Sequence, residues 1–364
     1  MDRTGEHALL YVRACLILAL WVLPVAQLSA AEEVATKEQQ GKPRKILFDT
    51  DPGGDDVFAL LLLQSLARQG YAEIVAVTTV GGNVGSRQTF SNASSILALG
   101  GFENVEVGRS ATVDPPRADA AHIHGSDGVG NLSRSLPAPP RRFGEARSAA
   151  DIIVEKLRAQ PGEITLVAVG PLTNLAAAEE QHPGILSRAK EVVIMGGAFR
   201  RKGNITSQSE FNIHCDPEAA QTVFSSSDNV VVLPLDVTMR ITFTGEHAEA
   251  VRKAASNREI ADFIVKLTDF MIQTTKSYRE TEGVAGFHVH DAATLAYLFY
   301  PETLLLRRGE VRVETEGKWT RGKTVMDERH GAKTKANAWV ALRVDGSVLL
   351  SILTEDLKLL CGAK

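Results

Sequence analysis

Cysteine is scarce in this chain, with three among 364 residues. Cys15 falls inside an apolar N-terminal stretch, which leaves Cys215 and Cys361 for the remainder. The sequence cannot place that pair together, so two free thiols are the expectation. Aromatic residues are also few, at 6%, which argues against base-stacking platforms as the main theme. A dominant charge is missing: a formal net charge of -4 gives no electrostatic case for a nucleic-acid partner. The one conspicuous N-terminal apolar run, Ala14 to Leu23, is too short for a comfortable membrane span. No internal repeat is visible, and no linker after residue 45 divides the chain. What is present is ordinary globular material, 44% hydrophobic and 23% charged, in a length that suits one large α/β domain or two small ones.

The N-terminus has its own layout. Arg3 and Arg13 precede the apolar run, the small residues Ser29, Ala30 and Ala31 follow, and a polar stretch runs from Glu32 to Lys45. That order describes a cleavable secretory signal with cleavage near Ala30 or Ala31. An uncleaved anchor is the alternative. Residues 1–31 are therefore expected to be a signal peptide, 32–43 a flexible linker and 44–364 one domain. The expected location is periplasmic or extracellular, with no stable membrane span after cleavage.

Beyond residue 44, short β-branched runs alternate with helical patterns. Ile74–Val80, Ile164–Val169, Glu191–Met195 and Val230–Leu235 read as strands. Helices follow, one reaching about Leu99 and one opening at Pro171 and Leu172. Continuous apolar strands interleaved with helices imply a parallel sheet covered on both faces. The expected fold is thus an open, mostly parallel, doubly wound (Rossmann-like) α/β sheet with flanking helices in a single domain. Gly or polar residues end nearly every strand, at the edge where such sheets bind ligands. Residues 118–140 read as a long surface loop.

The densest chemistry lies in Asp49-Thr50-Asp51-Pro52-Gly53-Gly54-Asp55-Asp56, between an apolar strand and a Leu-rich helix. An acidic helix N-terminus accounts for Asp55 and Asp56 but not for Asp49 and Asp51 as well. Four crowded carboxylates repel unless something positive sits among them. A hard divalent cation is the economical answer, because Ca²⁺ and Mg²⁺ prefer carboxylate oxygen. Asn204 to Asn212 brings amides and Glu210 into one loop, a set able to grip vicinal hydroxyls, although Asn and Gly are also ordinary turn residues. His290-Asp291 could supply a proton donor and a metal carboxylate, or Asp291 could simply cap the helix that follows. His122 and His124 lack the partner ligands of a convincing transition-metal site.

These pieces together resemble the inosine-uridine nucleoside hydrolase family. The acid cluster is similar to its N-terminal fingerprint. Further motifs follow in order: Thr78 to Asn83, His122 to Gly125, Gly170 to Asn174, Ile194 to Gly197, Asn204 to Asn212, Asp216 to Ala220, His290-Asp291 and Gly317 to Val325. The resemblance spans about residues 44 to 345. Haloacid-dehalogenase phosphotransferases also begin with a strand and Asp-x-Asp, but they want Thr or Val where Gly53 stands.

The resemblance implies calcium-dependent hydrolysis of the N-glycosidic bond of ribonucleosides to ribose and free base, a salvage reaction, in a homo-oligomer (dimer or tetramer). It implies Ca²⁺ bound by Asp51, Asp56 and Asp291 and by the Val169 carbonyl, with Asp51 also the base toward water. Asp55, Asn83, Asn204, Glu210 and Asn212 would hold the sugar hydroxyls, and Met195 would line the ribose pocket. His290 and His124 would face the leaving base, Asp49 would support the metal site, and Tyr278 is the one evident aromatic candidate for the base. A secreted nucleoside- or ribose-binding protein without turnover is the competing expectation.

Overall fold

A computed structural model describes residues 42–110, 119–278, 281–329 and 335–362. The expected signal peptide, and all of the expected linker except Lys42 and Pro43, lie outside the described residues. From Arg44 onward the chain forms one compact unit.

In chain order the elements are β1 (Arg44–Thr50), α1 (Gly54–Arg68), β2 (Ala72–Thr79), α2 (Ser86–Leu99), β3 (Val107–Gly108), α3 (Ala121–His124), α4 (Ala149–Ala159), β4 (Ile164–Ala168), α5 (Thr173–Gln181), β5 (Glu191–Met195), α6 (Phe211–Cys215), α7 (Pro217–Ser226), β6 (Val230–Leu233), α8 (Leu235–Thr238), β7 (Thr242–Thr244), α9 (Gly245–Ala254), α10 (Arg258–Tyr278), β8 (Gly286–His288), α11 (Ala292–Phe299), β9 (Leu304–Val313), β10 (Thr324–Asp327), β11 (Ala338–Val344) and α12 (Gly346–Leu360).

Nine strands form one sheet in the order β10-β9-β11-β6-β5-β4-β1-β2-β3. Pairing is parallel from β11 through to β3, and antiparallel only where β9 joins β11 and β10. The fold is the doubly wound α/β sheet that the alternating pattern implies. β1 has β2 on one side and β4 on the other, so the chain reverses its winding direction at β1. A crevice opens at such a reversal, beyond the carboxyl ends of the strands.

The core lies on both faces of the sheet. Ile46, Phe48, Val167, Val193 and Val231 belong to one buried cluster. Their neighbours Leu47, Leu166, Ala168, Val192 and Ile194 belong to the other. The two-residue period of a strand sends successive side chains to opposite faces, which is why these strands are apolar throughout. Helix α1 is buried from Gly54 to Leu66. Its all-round apolar surface suits a helix enclosed by others; α11 and α12 pack against it.

Two boundaries differ from the sequence reading. The strand expected to reach Leu235 stops at Leu233, because Pro234 has no N–H to continue the ladder; Asp236 then sits in the short helix α8. The expected loop at 118–140 contains the helical turn α3, which carries His124. Cys215 and Cys361 are both buried, and neither is in a disulfide among the described residues. No helix among the described residues is long and apolar enough to cross a membrane.

Candidate active site

The acid cluster straddles the end of β1. Asp49 is fully buried, and its Oδ1 accepts hydrogen bonds from Thr78 Oγ1 at 2.6 Å and Asn174 Nδ2 at 2.7 Å. It ties β1 to β2 and α5 from beneath the cleft. Burial lifts its carboxyl to about 7. Asp51 lies just beyond the strand and is also fully buried. Its Oδ2 accepts the Asn83 N–H at 2.8 Å. Its Oδ1 has no hydrogen-bond partner among the described residues.

Pro52 and Gly53 turn the chain into α1, whose first turn holds Asp55 and Asp56 against the positive end of the helix dipole. Asp56 accepts from Thr50 Oγ1 at 2.5 Å, from the Gly53 N–H at 2.9 Å and from Asn83 Nδ2 at 3.0 Å. Asp291 arrives from the far end of the chain, after β8. It precedes α11 but makes no side-chain capping bond there, so capping does not account for it. Asp55, Asp56 and Asp291 each present an oxygen within 4.8 Å of the others.

The electrostatics follow from that crowding. Burial, then the neighbouring Asp56, holds the Asp51 carboxyl well above its ordinary range. Burial, then Asp55 and Asp56, does the same to Asp291. Asp56 and Glu210 are also raised by burial. Among the described residues, the pocket lining contains no Lys or Arg to offset them. A buried carboxylate oxygen without a partner among the described residues, beside three converging carboxylates, fits a hard divalent cation. The Val169 carbonyl lies at the same cleft, past β4, and accepts Asn212 Nδ2 at 2.8 Å.

The other wall is built from the loop between β5 and α6. Glu210 accepts the N–H groups of Gly197 at 2.9 Å, Asn212 at 2.9 Å and Ile213 at 3.1 Å, closing the loop and capping α6. Asn204 Oδ1 accepts the Phe211 N–H at 2.9 Å, so its fold-facing side is the oxygen. Asn212 Nδ2 also donates to the Met195 carbonyl at 3.2 Å, bridging the ends of β4 and β5.

Burial disfavours the charged form of two cleft histidines, His124 and His290. His124 Nδ1 accepts the Gly54 N–H at 2.8 Å, which leaves Nε2 to carry the ring proton. Burial, then His122, lowers its pKa to about 4. His290 Nδ1 pairs with Thr238 Oγ1 at 2.7 Å. Burial, then His288 and His124, holds it well below the usual range.

One cleft gathers Asp55, Asp56, Asn83, His124, Val169, Met195, Asn204, Glu210, Asn212, His290 and Asp291. Asp51 is the exception: it is sealed beneath the lining rather than part of it. The sequence reading passed over Phe211, Met271, Thr275, Phe287 and His288, all of which line the cleft alongside Tyr278. A signal for them existed. Phe211, Phe287 and His288 sit inside or beside motifs already singled out. Met271, Thr275 and Tyr278 fall at i, i+4 and i+7 on α10, one helical face. The lining therefore divides by chemistry into carboxylates and amides on one hand and aromatic or aliphatic groups on the other, as a sugar joined to a base requires.

The profile of inosine-uridine preferring nucleoside hydrolases matches residues 46–351. This chain belongs to that family. Its likeness to the inosine-uridine preferring nucleoside hydrolase of Crithidia fasciculata is 35% identity over 308 residues, covering 83% of this chain and 94% of that one. Uridine nucleosidase 1 of Arabidopsis thaliana is 34% identical over 307 residues, covering 82% and 87%. Among solved structures, a purine-preferring ribonucleoside hydrolase from Gardnerella vaginalis superposes with a TM-score of 0.78 at 28% identity, covering 87% and 99%. As a nucleoside hydrolase the chain is an enzyme that cleaves N-glycosidic bonds of ribonucleosides. That membership disposes of the binding-only alternative and of the phosphotransferase reading.

Proposed function

We propose that this nucleoside hydrolase is calcium-dependent, is exported, and works as a dimer or tetramer on ribonucleosides. One observation carries the metal: Asp51 Oδ1 is buried without a partner among the described residues, next to the converging carboxylates of Asp55, Asp56 and Asp291. Asp51, Asp56, Asp291 and the Val169 carbonyl would hold Ca²⁺, which prefers about 6–8 oxygens in flexible geometry. When bound, the ion would lower the pKa of a ligated water and orient it toward the anomeric carbon.

The chain's own residues supply the rest. Asp51 would accept the proton of the attacking water. Asp55, Asn83, Asn204, Glu210 and Asn212 would grip the sugar hydroxyls and stabilise positive charge as it develops on the ribose. Met195 would pack beneath the sugar. His290 would donate a hydrogen bond to the departing base, steadied by Thr238, with His124 offering Nε2–H beside it.

Relatives carry names that specify uridine, inosine–uridine and purine, so the assay spans base types. Release of reducing sugar from inosine, guanosine, uridine and cytidine should fall to background with a chelator and return with added calcium. Undiminished turnover in the chelator would sink the metal role. The intact mass of the secreted chain tests cleavage near Ala30 or Ala31, and sedimentation velocity tests assembly; an uncleaved N-terminus or a monomer would overturn those parts.

A further inference from the structure

The segment Gly317 to Val325 was singled out by sequence, yet none of it lines the cleft. Its contacts lead to the loop that does. Residues 196–210 run from β5 to α6 without a helix or strand of their own, and they carry Asn204 and Glu210. A loop of this length in a compact domain must be tied down if it is to present side chains with fixed geometry.

Both feet of the loop rest on the β9–β10 hairpin. At the entry, the Thr324 hydroxyl accepts the Ala198 N–H at 2.9 Å and donates to the Ala198 carbonyl at 3.0 Å. Thr324 is only 1% exposed, so water cannot replace either bond. At the exit, Ser209 Oγ donates a short hydrogen bond to the Arg321 carbonyl, one residue before Glu210. Gly322 permits this approach: its φ is +80°, and a Cβ there would stand 2.7 Å from Ser209 Oγ. The Arg321 guanidinium in turn meets Glu218 on α7. Farther out, Arg200 Nε donates to Glu328 at 3.0 Å, and Arg307 shares that carboxylate at 2.9 Å. All this happens although β9, β11 and β6 separate β10 from β5 within the sheet.

We propose that Thr324 and the Arg321 carbonyl act as a positioning clamp that sets the sugar-gripping loop, and so govern selectivity for ribose hydroxyls rather than the chemical step. This rests on the assignment of Asn204, Glu210 and Asn212 to the sugar. Thr324 and Arg321 touch no substrate. They fix where the loop lies, and a displacement of about 1 Å in such a group can cost on the order of 10²-fold in rate. A polar site that loses its register forfeits mainly its discrimination against substrates lacking the matching hydroxyl.

The test compares kcat/KM for a ribonucleoside with that for its 5′-deoxy and 3′-deoxy analogues. Thr324→Val keeps the shape and deletes the hydroxyl. It should lower kcat/KM for the ribonucleoside by about 10²-fold and leave the poorer analogue substrates nearly unchanged, so that the preference collapses. Thr324→Ser should restore it. If Thr324→Val does not fold, Ser209→Ala removes the exit bond and should show the same selective loss. Equal losses on all substrates, or an intact preference in folded variants, would overturn the clamp. A wild-type enzyme indifferent to sugar hydroxyls would instead overturn the assignment of Asn204 and Glu210, and the clamp with it.

Discussion

Asp51, the proposed base and metal ligand, sits where its burial works against stability. It is buried with Asp55, Asp56 and Asp49 all raising its pKa, and half of its carboxylate has no partner. Groups held in such conflict are candidates for catalytic roles. Asp51→Asn keeps the volume and removes the charge. Turnover should fall about 10²–10⁴-fold, the usual share of general acid–base catalysis. The thermal midpoint of the chelated protein should rise, because a repulsive buried charge is gone. A variant with normal turnover, or one that loses stability in chelator, would contradict this account. The family resemblance assigns Asp49 and Asp51 different roles, and the folded chain shows how their surroundings differ. Both are buried acids two residues apart, each with one oxygen lacking a hydrogen-bond partner among the described residues, but Asp49 Oδ1 is held by Thr78 and Asn174, whereas Asp51 Oδ2 is held by the Asn83 N–H and its carboxyl lies close to Asp56 and Asp55.

At the scale of elements, the site consists of strand ends that approach one another closely. Gly82, past β2, and Gly170, past β4, press on Asp51 from two sides. A Cβ on Gly170 would lie 2.5 Å from Asp51 Oδ1, and one on Gly82 would lie 2.1 Å from Oδ2. Gly170→Ala should therefore shift the Asp51 carboxylate or the β4 end, costing about 1–3 kcal/mol as an overpacking change. The kcat loss should exceed 10-fold, roughly what a misplaced catalytic group entails. Denaturant midpoints and steady-state kinetics check the two together; an unperturbed enzyme would show that the backbone can yield there. The Gly170-Pro171 and Gly81-Gly82 pairs were visible in the sequence as strand terminators. Their second task, clearing space for an aspartate more than thirty residues away in the nearer case, was not, since sequence does not show which strand lies beside which.

For the whole molecule, the clustered carboxylates tie stability to pH and, at the proposed calcium site, to the cation. An aspartyl group whose folded pKa exceeds its unfolded value binds its proton more tightly in the folded state. Its contribution falls as pH rises from the unfolded value of 3.8 towards the folded value, about 7 for Asp49, and stays low above it. Asp51, Asp56 and Asp291 shift in the same direction. His124 and His290 act oppositely: with folded pKa values lowered, they favour folding as pH rises toward 6.5. A bound cation cancels the carboxylate penalty, and it requires those groups ionised. Calcium should therefore raise the thermal midpoint more at pH 8 than at pH 5, measured against chelated protein. An equal or larger gain at pH 5 would remove the buried cluster as the binding site.

The sequence by itself determined the fold class, the family and most of the cleft. Those depend on local information: apolar runs of strand length, glycines at strand ends, and carboxylates crowded within a few residues. It also supplied Asp291 and His290, but only through the order of motifs along the chain, since nothing local distinguishes Asp291 from a helix cap. Tertiary structure decided what depends on distance through space. It brought Asp291 to Asp55 and Asp56, buried Asp51 beneath the cleft, gave His124 its tautomer through the Gly54 amide, and set Thr324 against Ala198. The physical reason is the doubly wound topology: neighbours at the switch point come from strands far apart in sequence, and only the folded sheet fixes which of their ends meet.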